Sequence, residues 1–352
     1  DLHTAYRRQR QMCIRDRLWP SAMTTLTTHD TKRTEDTRAR MIAITEVADE
    51  FAELVRQVVA IVPPPDTSTA HFLFQNVLGV WPADGVITEA LRERLHLYAV
   101  KAVREAGVHS SWFDSEVGFE QRILDWVDAL LFGPAATMIS EFVARIDAAG
   151  VHVSLGRKVL QLAGAGIPDT YQGQEFMDFS LVDPDNRRFV DYTARHQALK
   201  QYMHARQTDH FELRSYLHGA SAADAADADH PAAHELLGLT GMAADRAKQL
   251  IIREGLHLRR EYADVFLRGE HQAVFAVGEA HGHLIGLARG DAAVSGLSVI
   301  ACATRMPLIL AARGGWGETT VQLPAGTWTD RFTGRAFEGT VRVADLFEVL
   351  PT

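Results

Sequence analysis

Apolar residues along this chain follow two different periods. From Thr34 onward, Met41, Ile44, Val47, Phe51, Leu54, Val55 and Val58 recur at three- and four-residue steps. That spacing predicts a long helix, ended by Pro63-Pro64-Pro65. His71–Val80 predicts a second helix, closed before Pro82. Residues 88–106 give a clear amphipathic helix with Thr88 or Glu89 near its start and Gly107 at its end. Residues 119–131 and 136–163 continue in helices. After a further helix over 246–266 the period shortens. A hairpin is expected to turn at Gly278–Gly282. Short strands with Gly and Pro turns follow in 297–306, 319–330 and 339–350.

Two short segments break the helical pattern. Met23–Thr28 is rich in β-branched residues and predicts a strand. Gly166–Glu175 (GIPDTYQGQE) is bracketed by Gly and Pro and predicts a brief extended segment, followed by the loop SLVDPDNRR, residues 180–188. Residues 217–235 are Ala/Asp-rich with few large apolar groups and read as a mobile loop. Residues 1–18 are Arg-rich and lack a clear period. Their string QMCIRDR resembles translated sequencing-adapter read-through, so this leader is expected to be non-native.

The chain has 352 residues, 47% hydrophobic and 23% charged, with a formal net charge of −9. This is ordinary globular composition. The acidic balance gives no reason to expect nucleic acid or an anionic membrane as partner. Two cysteines far apart argue against a disulfide framework and fit a reducing cytoplasm. Sixteen histidines show no metal-ligand spacing, so neither metal nor cofactor is expected.

Three segments carry candidate chemistry. His29-Asp30 stands just after the first strand, inside LTTHDTKRTED (residues 26–36). Residues at strand ends line the active site of a parallel α/β barrel, but Asp30 or Thr31 equally suits the cap of the following helix. In GIPDTYQGQE, Tyr171, Gln172 and Glu175 offer ring, amide and carboxylate to a sugar, or form a polar turn. In DPDNRR, paired Asp and Arg suit a loop lock by bidentate hydrogen bonds. Trp81 and Trp112 suit either sugar platforms or buried packing, and Lys101 and Arg104 read as a solvated helix face.

In combination, a strand-end His-Asp, IPxxYxGxE, DPxNRR and a helix ending LRRxxAxxF before a β-region resemble the α-amylase superfamily, glycoside hydrolase family 13. THDTKRTEDTRAR, FQNVLGVWP, KAVREAGVHSSW, SLVDPDNRRFVDY and LPAGTWTDRFTGR are similar, within it, to the maltooligosyl trehalose synthases. The resemblance runs from about Trp19 to the C-terminus. It implies an α/β chain: residues 19–265 as the C-terminal part of a (β/α)8 TIM barrel, with strands seven and eight and a helical insertion over 40–163. A small all-β sandwich over 266–352 would follow.

The resemblance also implies an isomerase, an intramolecular transferase that turns the reducing-end α-1,4 link of a maltooligosaccharide into an α,α-1,1 link. Asp30 would be the transition-state stabiliser, and His29, Lys32, Arg33, Tyr171, Gln172 and Glu175 would bind substrate. The nucleophile and general acid belong to earlier barrel strands. The chain is therefore expected to be a C-terminal portion, inactive by itself. The partner implied is a maltooligosaccharide or α-1,4-glucan, with a functional link to a trehalose-releasing hydrolase. The alternatives are an amylase-like α-glucan hydrolase and a non-enzymatic chain that folds partly and binds glucan weakly or not at all.

Overall fold

The computed structural model describes residues 18–207, 211–218, 238–291 and 296–352. The Arg-rich leader, apart from Leu18, and most of the Ala/Asp-rich stretch lie outside the described residues. In chain order, β1 (Met23–Thr25) precedes α1 (Glu35–Ile44), α2 (Ala48–Ile61), α3 (Thr67–Val80), α4 (Glu89–Ala106), α5 (Val117–Phe132) and α6 (Ala136–Ala163). Then come β2 (Ile167–Asp169), α7 (Tyr192–Ala205), α8 (Leu213–His218), α9 (Gly241–Glu261) and α10 (Ala263–Arg268). β3 (Glu270–Val274), β4 (Ala276–Val277), β5 (Leu284–Asp291) and β6 (Gly296–Thr304) precede α11 (Pro307–Ala312). β7 (Thr320–Gln322), β8 (Trp328–Thr329), β9 (Ala336–Phe337), β10 (Thr340–Arg342) and α12 (Val343–Leu346) complete the series. Residues 28–151 with 178–189 form one compact unit, and the other described residues form a second.

The first unit is helical. In α4, Leu91, Leu95, Tyr98, Ala99 and Val103 are the buried positions, one stripe at helical spacing. The Thr88 hydroxyl accepts from the Leu91 amide at 3.2 Å. Gly107 stops the helix in the left-handed conformation, φ 65°, which glycine adopts without strain. The long helix expected from Thr34 is interrupted by a 3-10 turn at Thr45–Val47. There the Thr45 hydroxyl donates to the Ile42 carbonyl at 2.7 Å, a local bond that competes with helix continuation.

The exposed-looking polar start of α1 is in fact buried: Glu35, Asp36, Thr37 and Arg40 are all nearly inaccessible. The Arg40 guanidinium pairs with Asp147 at 2.5 Å, donates to the carbonyls of Trp81 (2.6 Å) and Gly79 (3.3 Å), and lies 3.8 Å from the Phe179 ring centroid. Gly150 permits the approach of α6 to α1, because a Cβ there would stand 2.8 Å from the Arg40 Cα. Backbone cannot step aside as a flexible side chain can. Gly150→Ala is therefore expected to destabilise this unit by about 1–3 kcal/mol, read as a lower thermal midpoint.

In the second unit β1 and β2 pair in parallel, Met23 opposite Ile167 and Thr25 opposite Asp169. A parallel pair needs a crossover, and α1–α6 lie between the two strands in sequence. Gln161 braces the pair by donating to the carbonyls of Thr24 (2.9 Å) and Asp169 (3.0 Å). At Gly166, φ 90°, a Cβ would meet the Ala22 carbonyl oxygen at 2.4 Å. The helix expected over 246–266 is present as α9 and α10, broken at Tyr262.

In the C-terminal region β3, β5 and β6 form an antiparallel sheet in the order β3-β5-β6, and β10-β7-β4 form another. The expected hairpin is the β3–β5 pair. Val321, Leu323, Val341, Val343 and Phe347 form the core beside the second sheet, with Trp316 and Trp328 packed on it. Residues 343–346, expected within a strand, form α12 instead. The Val343 amide ends the ladder on the Thr319 carbonyl at 2.9 Å, and the Phe347 amide returns to Val343. No single described helix is long and apolar enough to cross a membrane.

Candidate active site

The His29-Asp30 turn is built by two threonines. The Thr28 hydroxyl accepts from the amides of Asp30 and Thr31, both at 3.2 Å. The Thr31 hydroxyl accepts from the Thr28 amide at 3.2 Å and donates to the Thr28 carbonyl at 2.8 Å. These reciprocal bonds close a tight loop in the manner of hydroxyl-stabilised turns. The Asn186 side-chain amide then donates to the carbonyls of Thr28 (3.2 Å) and His29 (3.0 Å). The Asp183 amide reaches the His29 carbonyl at 3.5 Å.

The consequence is an outward-facing acid. The Asp30 side chain is 84% exposed and the His29 ring 52%. Their contact, Nε2 to Oδ2 at 3.2 Å, leaves the other carboxylate oxygen open. Helix α1 begins at Glu35 with Thr34 at its cap position. Neither Asp30 nor Thr31 caps it, which removes the structural alternative weighed from sequence. Thr34 itself turns its hydroxyl to the carbonyls of Asp178 (2.5 Å) and Ser180 (3.2 Å).

Lys32 is largely exposed and pairs with Glu105 at 3.4 Å. Arg33 is differently committed: its Nε donates to Asn76 Oδ1 at 2.6 Å and its guanidinium lies 5.4 Å from the centroid of the Phe72 ring. Its backbone also bridges to Leu181.

The DPDNRR loop is locked by paired charges, as its composition suggested. Arg94 grips Asp185 with Nε (2.6 Å) and Nη2 (3.0 Å) and donates to the Phe179 carbonyl at 2.7 Å. Asp185 also accepts from the Leu181 amide at 2.8 Å. Arg188 donates to Ser180 (2.6 Å) and Asp178 (3.2 Å), and Arg187 pairs with Asp183 at 2.6 Å. The peptide bond Asp183-Pro184 is cis. Lys101 donates to the Asp183 carbonyl, and Arg104 pairs with Glu120 at 2.7 Å. Neither is the solvated helix face expected. Trp81 is buried, its indole donating to Ser140 at 3.0 Å, whereas Trp112 is exposed beneath Arg104.

Tyr171, Gln172 and Glu175 belong to the second unit, after β2. Gln172 is exposed and Tyr171 half-buried. Glu175 lies 3.5 Å from Arg195, which also donates to the Gly173 carbonyl at 2.6 Å and stacks 4.6 Å from the Phe176 ring centroid. Asn186, Arg94 and Arg195 are the supporting residues not singled out from sequence. Asn186 stands inside a quoted motif, so its signal was present; Arg94 and Arg195 look like ordinary polar helix positions.

No family model matches the chain. A protein of Mycobacterium tuberculosis, in strains CDC 1551 / Oshkosh and ATCC 25618 / H37Rv, named as a maltooligosyl trehalose synthase, is 38% identical over 337 residues. That match takes in 96% of this chain and 38% of the relative. The structure of maltooligosyltrehalose synthase from Arthrobacter ramosus superposes with a TM-score of 0.77 at 36% identity, covering 96% of this chain and 39% of that one. A hypothetical maltooligosyl trehalose synthase of Sulfolobus tokodaii gives 0.64 at 26% identity, covering 90% and 36%. The chain thus spans well under half the length of these proteins.

Proposed function

Because this chain belongs, over 96% of its length, with the maltooligosyl trehalose synthases, we propose that it is part of an enzyme that isomerises the reducing end of α-1,4-glucans. The reducing-end α-1,4 bond breaks and an α,α-1,1 bond forms. The observation that carries this reading is the exposed Asp30 carboxylate in a turn braced through backbone.

A retaining transfer needs a carboxylate nucleophile and a carboxylic acid about 5–5.5 Å apart. In this reading both lie in the part of the relatives' length that the chain does not span. The nucleophile takes the glucosyl carbon. The acid protonates the departing oxygen and then, as base, accepts the proton of the freed glucose's anomeric hydroxyl as that oxygen attacks. No water enters the balance.

Asp30 holds hydroxyls of the reacting sugar and stabilises the cationic transition state. His29 donates to the same sugar, and Lys32 reaches the sugar being released. Arg33, its Nε held on Asn76, binds substrate beside Lys32. Tyr171, Gln172 and Glu175 contact substrate from the segment after β2. We further assign β1 and β2 as the last two strands of the barrel, and the product to a trehalose-releasing hydrolase.

The test is maltopentaose incubated with a protein of the relatives' full length that carries this sequence. The expected result is a fall in reducing ends without free glucose. A rise in reducing ends would mean hydrolysis and sink the reading. The 352-residue chain alone is expected to give neither.

A further inference from the structure

Within the first unit, a cleft of about 540 Å³ opens between α3 and α4. That is ample for a small ligand, since such clefts run from about 300 to 1,000 Å³. Its floor is apolar, with Phe72, Leu73 and Val103, and Phe72 stacks on Tyr98 at 6.5 Å between ring centroids. Its rim is charged but balanced. Glu105 lies 3.4 Å from Lys32 and 3.8 Å from Lys101, and His109 lies 3.6 Å from Asp66. A rim that neutralises itself favours an uncharged ligand over a phosphate or a carboxylate.

Tyr98 is the telling residue. It is 94% buried, from a relative exposure of 6%, and it lines the cleft. No group among the described residues bonds its hydroxyl. The residue's burial pushes this phenol's pKa up to about 12, so the hydroxyl stays a neutral donor. An aromatic and aliphatic floor, a free hydroxyl and a balanced polar rim suit a molecule with one apolar face and a ring of hydroxyls.

We infer that this cleft binds a glucopyranose unit, its apolar face on Tyr98 and Phe72 and one of its hydroxyls bonded to the Tyr98 hydroxyl. The proposal rests on the glucan reading above and extends it to a sugar site on the inserted helices. Lys32, two residues after Asp30, stands in the cleft wall. The cleft would therefore hold a sugar unit of the same glucan or of its product.

Saturation-transfer and nuclear Overhauser NMR on the 352-residue chain tests this, with maltose as probe and glucose 6-phosphate as the anionic control. Maltose is expected to show contacts to the Phe72 and Tyr98 rings and to bind more tightly than the phosphate. Tyr98→Phe keeps the ring and should weaken maltose about five- to ten-fold, the worth of one hydrogen bond. Ala102→Leu, which fills the cleft, should abolish the contacts, with circular dichroism checking that both variants fold.

Maltose binding that falls in Asp30→Asn but is unchanged in Tyr98→Phe and Ala102→Leu would put the sugar at the turn alone. The cleft proposal then fails while the glucan reading stands. Tighter binding of the phosphate, or no sugar bound at all, also overturns the cleft proposal and leaves the maltopentaose test to decide the function separately.

Discussion

Replacing Asp30 with Asn, in a protein of the relatives' full length, is expected to lower kcat for glucan isomerisation by about 10²- to 10³-fold, the usual cost of removing one group aimed at developing charge. The thermal midpoint is expected to stay where it was. The reason is geometric. The carboxylate is 84% exposed and, among the described residues, pairs with His29 alone, while its turn is held by Thr28, Thr31 and Asn186. A helix cap would behave oppositely: losing one costs roughly 0.5–2 kcal/mol of stability and leaves chemistry intact. Steady-state kinetics beside a melting curve separates the two. A variant that melts early but turns over normally would defeat the assignment.

Asp147→Ala is expected to cost about 3–5 kcal/mol of stability, because it strands a buried cation. The Arg40 side chain is 1% exposed and Asp147 is 8% exposed. Burial already pulls the Arg40 pKa down, and Asp147 is the largest influence raising it again. A second change, Arg40→Met, should restore part of the loss, since removing both charges leaves no orphan charge. Restoration should stay incomplete, because the carbonyls of Gly79 and Trp81 lose their donor. Urea melts of the two single variants and the double variant measure the coupling. Additive losses would mean that the pair is not a pair in energetic terms.

These two positions illustrate what a sequence can reveal. The amphipathic stripe of α4, its threonine start and its glycine stop are local, and all three are readable in one stretch of chain. The His-Asp turn was readable as a candidate because it follows a strand and interrupts a pattern. Its support was not. Asn186 meets His29 across 157 residues, and Asp36 takes the Asp178 amide across 142. Glu35 and Asp36 look like ordinary acids in a first helical turn, yet both are buried. Arg40 reads as a surface position until the elements packed around it are known. The short helix at 343–346 is equally hard to read: β-branched Val341 and Val343 favour a strand, and the chain leaves the ladder only after the Val343 amide has bonded the Thr319 carbonyl. The cleft on α3 and α4 belongs to neither helix alone.

The hydroxyls of Thr28 and Thr31 and the amide of Asn186 grip only main-chain atoms and one another's neighbours in the turn. The loop therefore works as a socket whose shape does not depend on what is plugged into it. Residues 29 and 30 can be exchanged for other side chains without rebuilding their mount, which makes this turn a place where selection, or an engineer, can rewrite reactivity while leaving the scaffold alone.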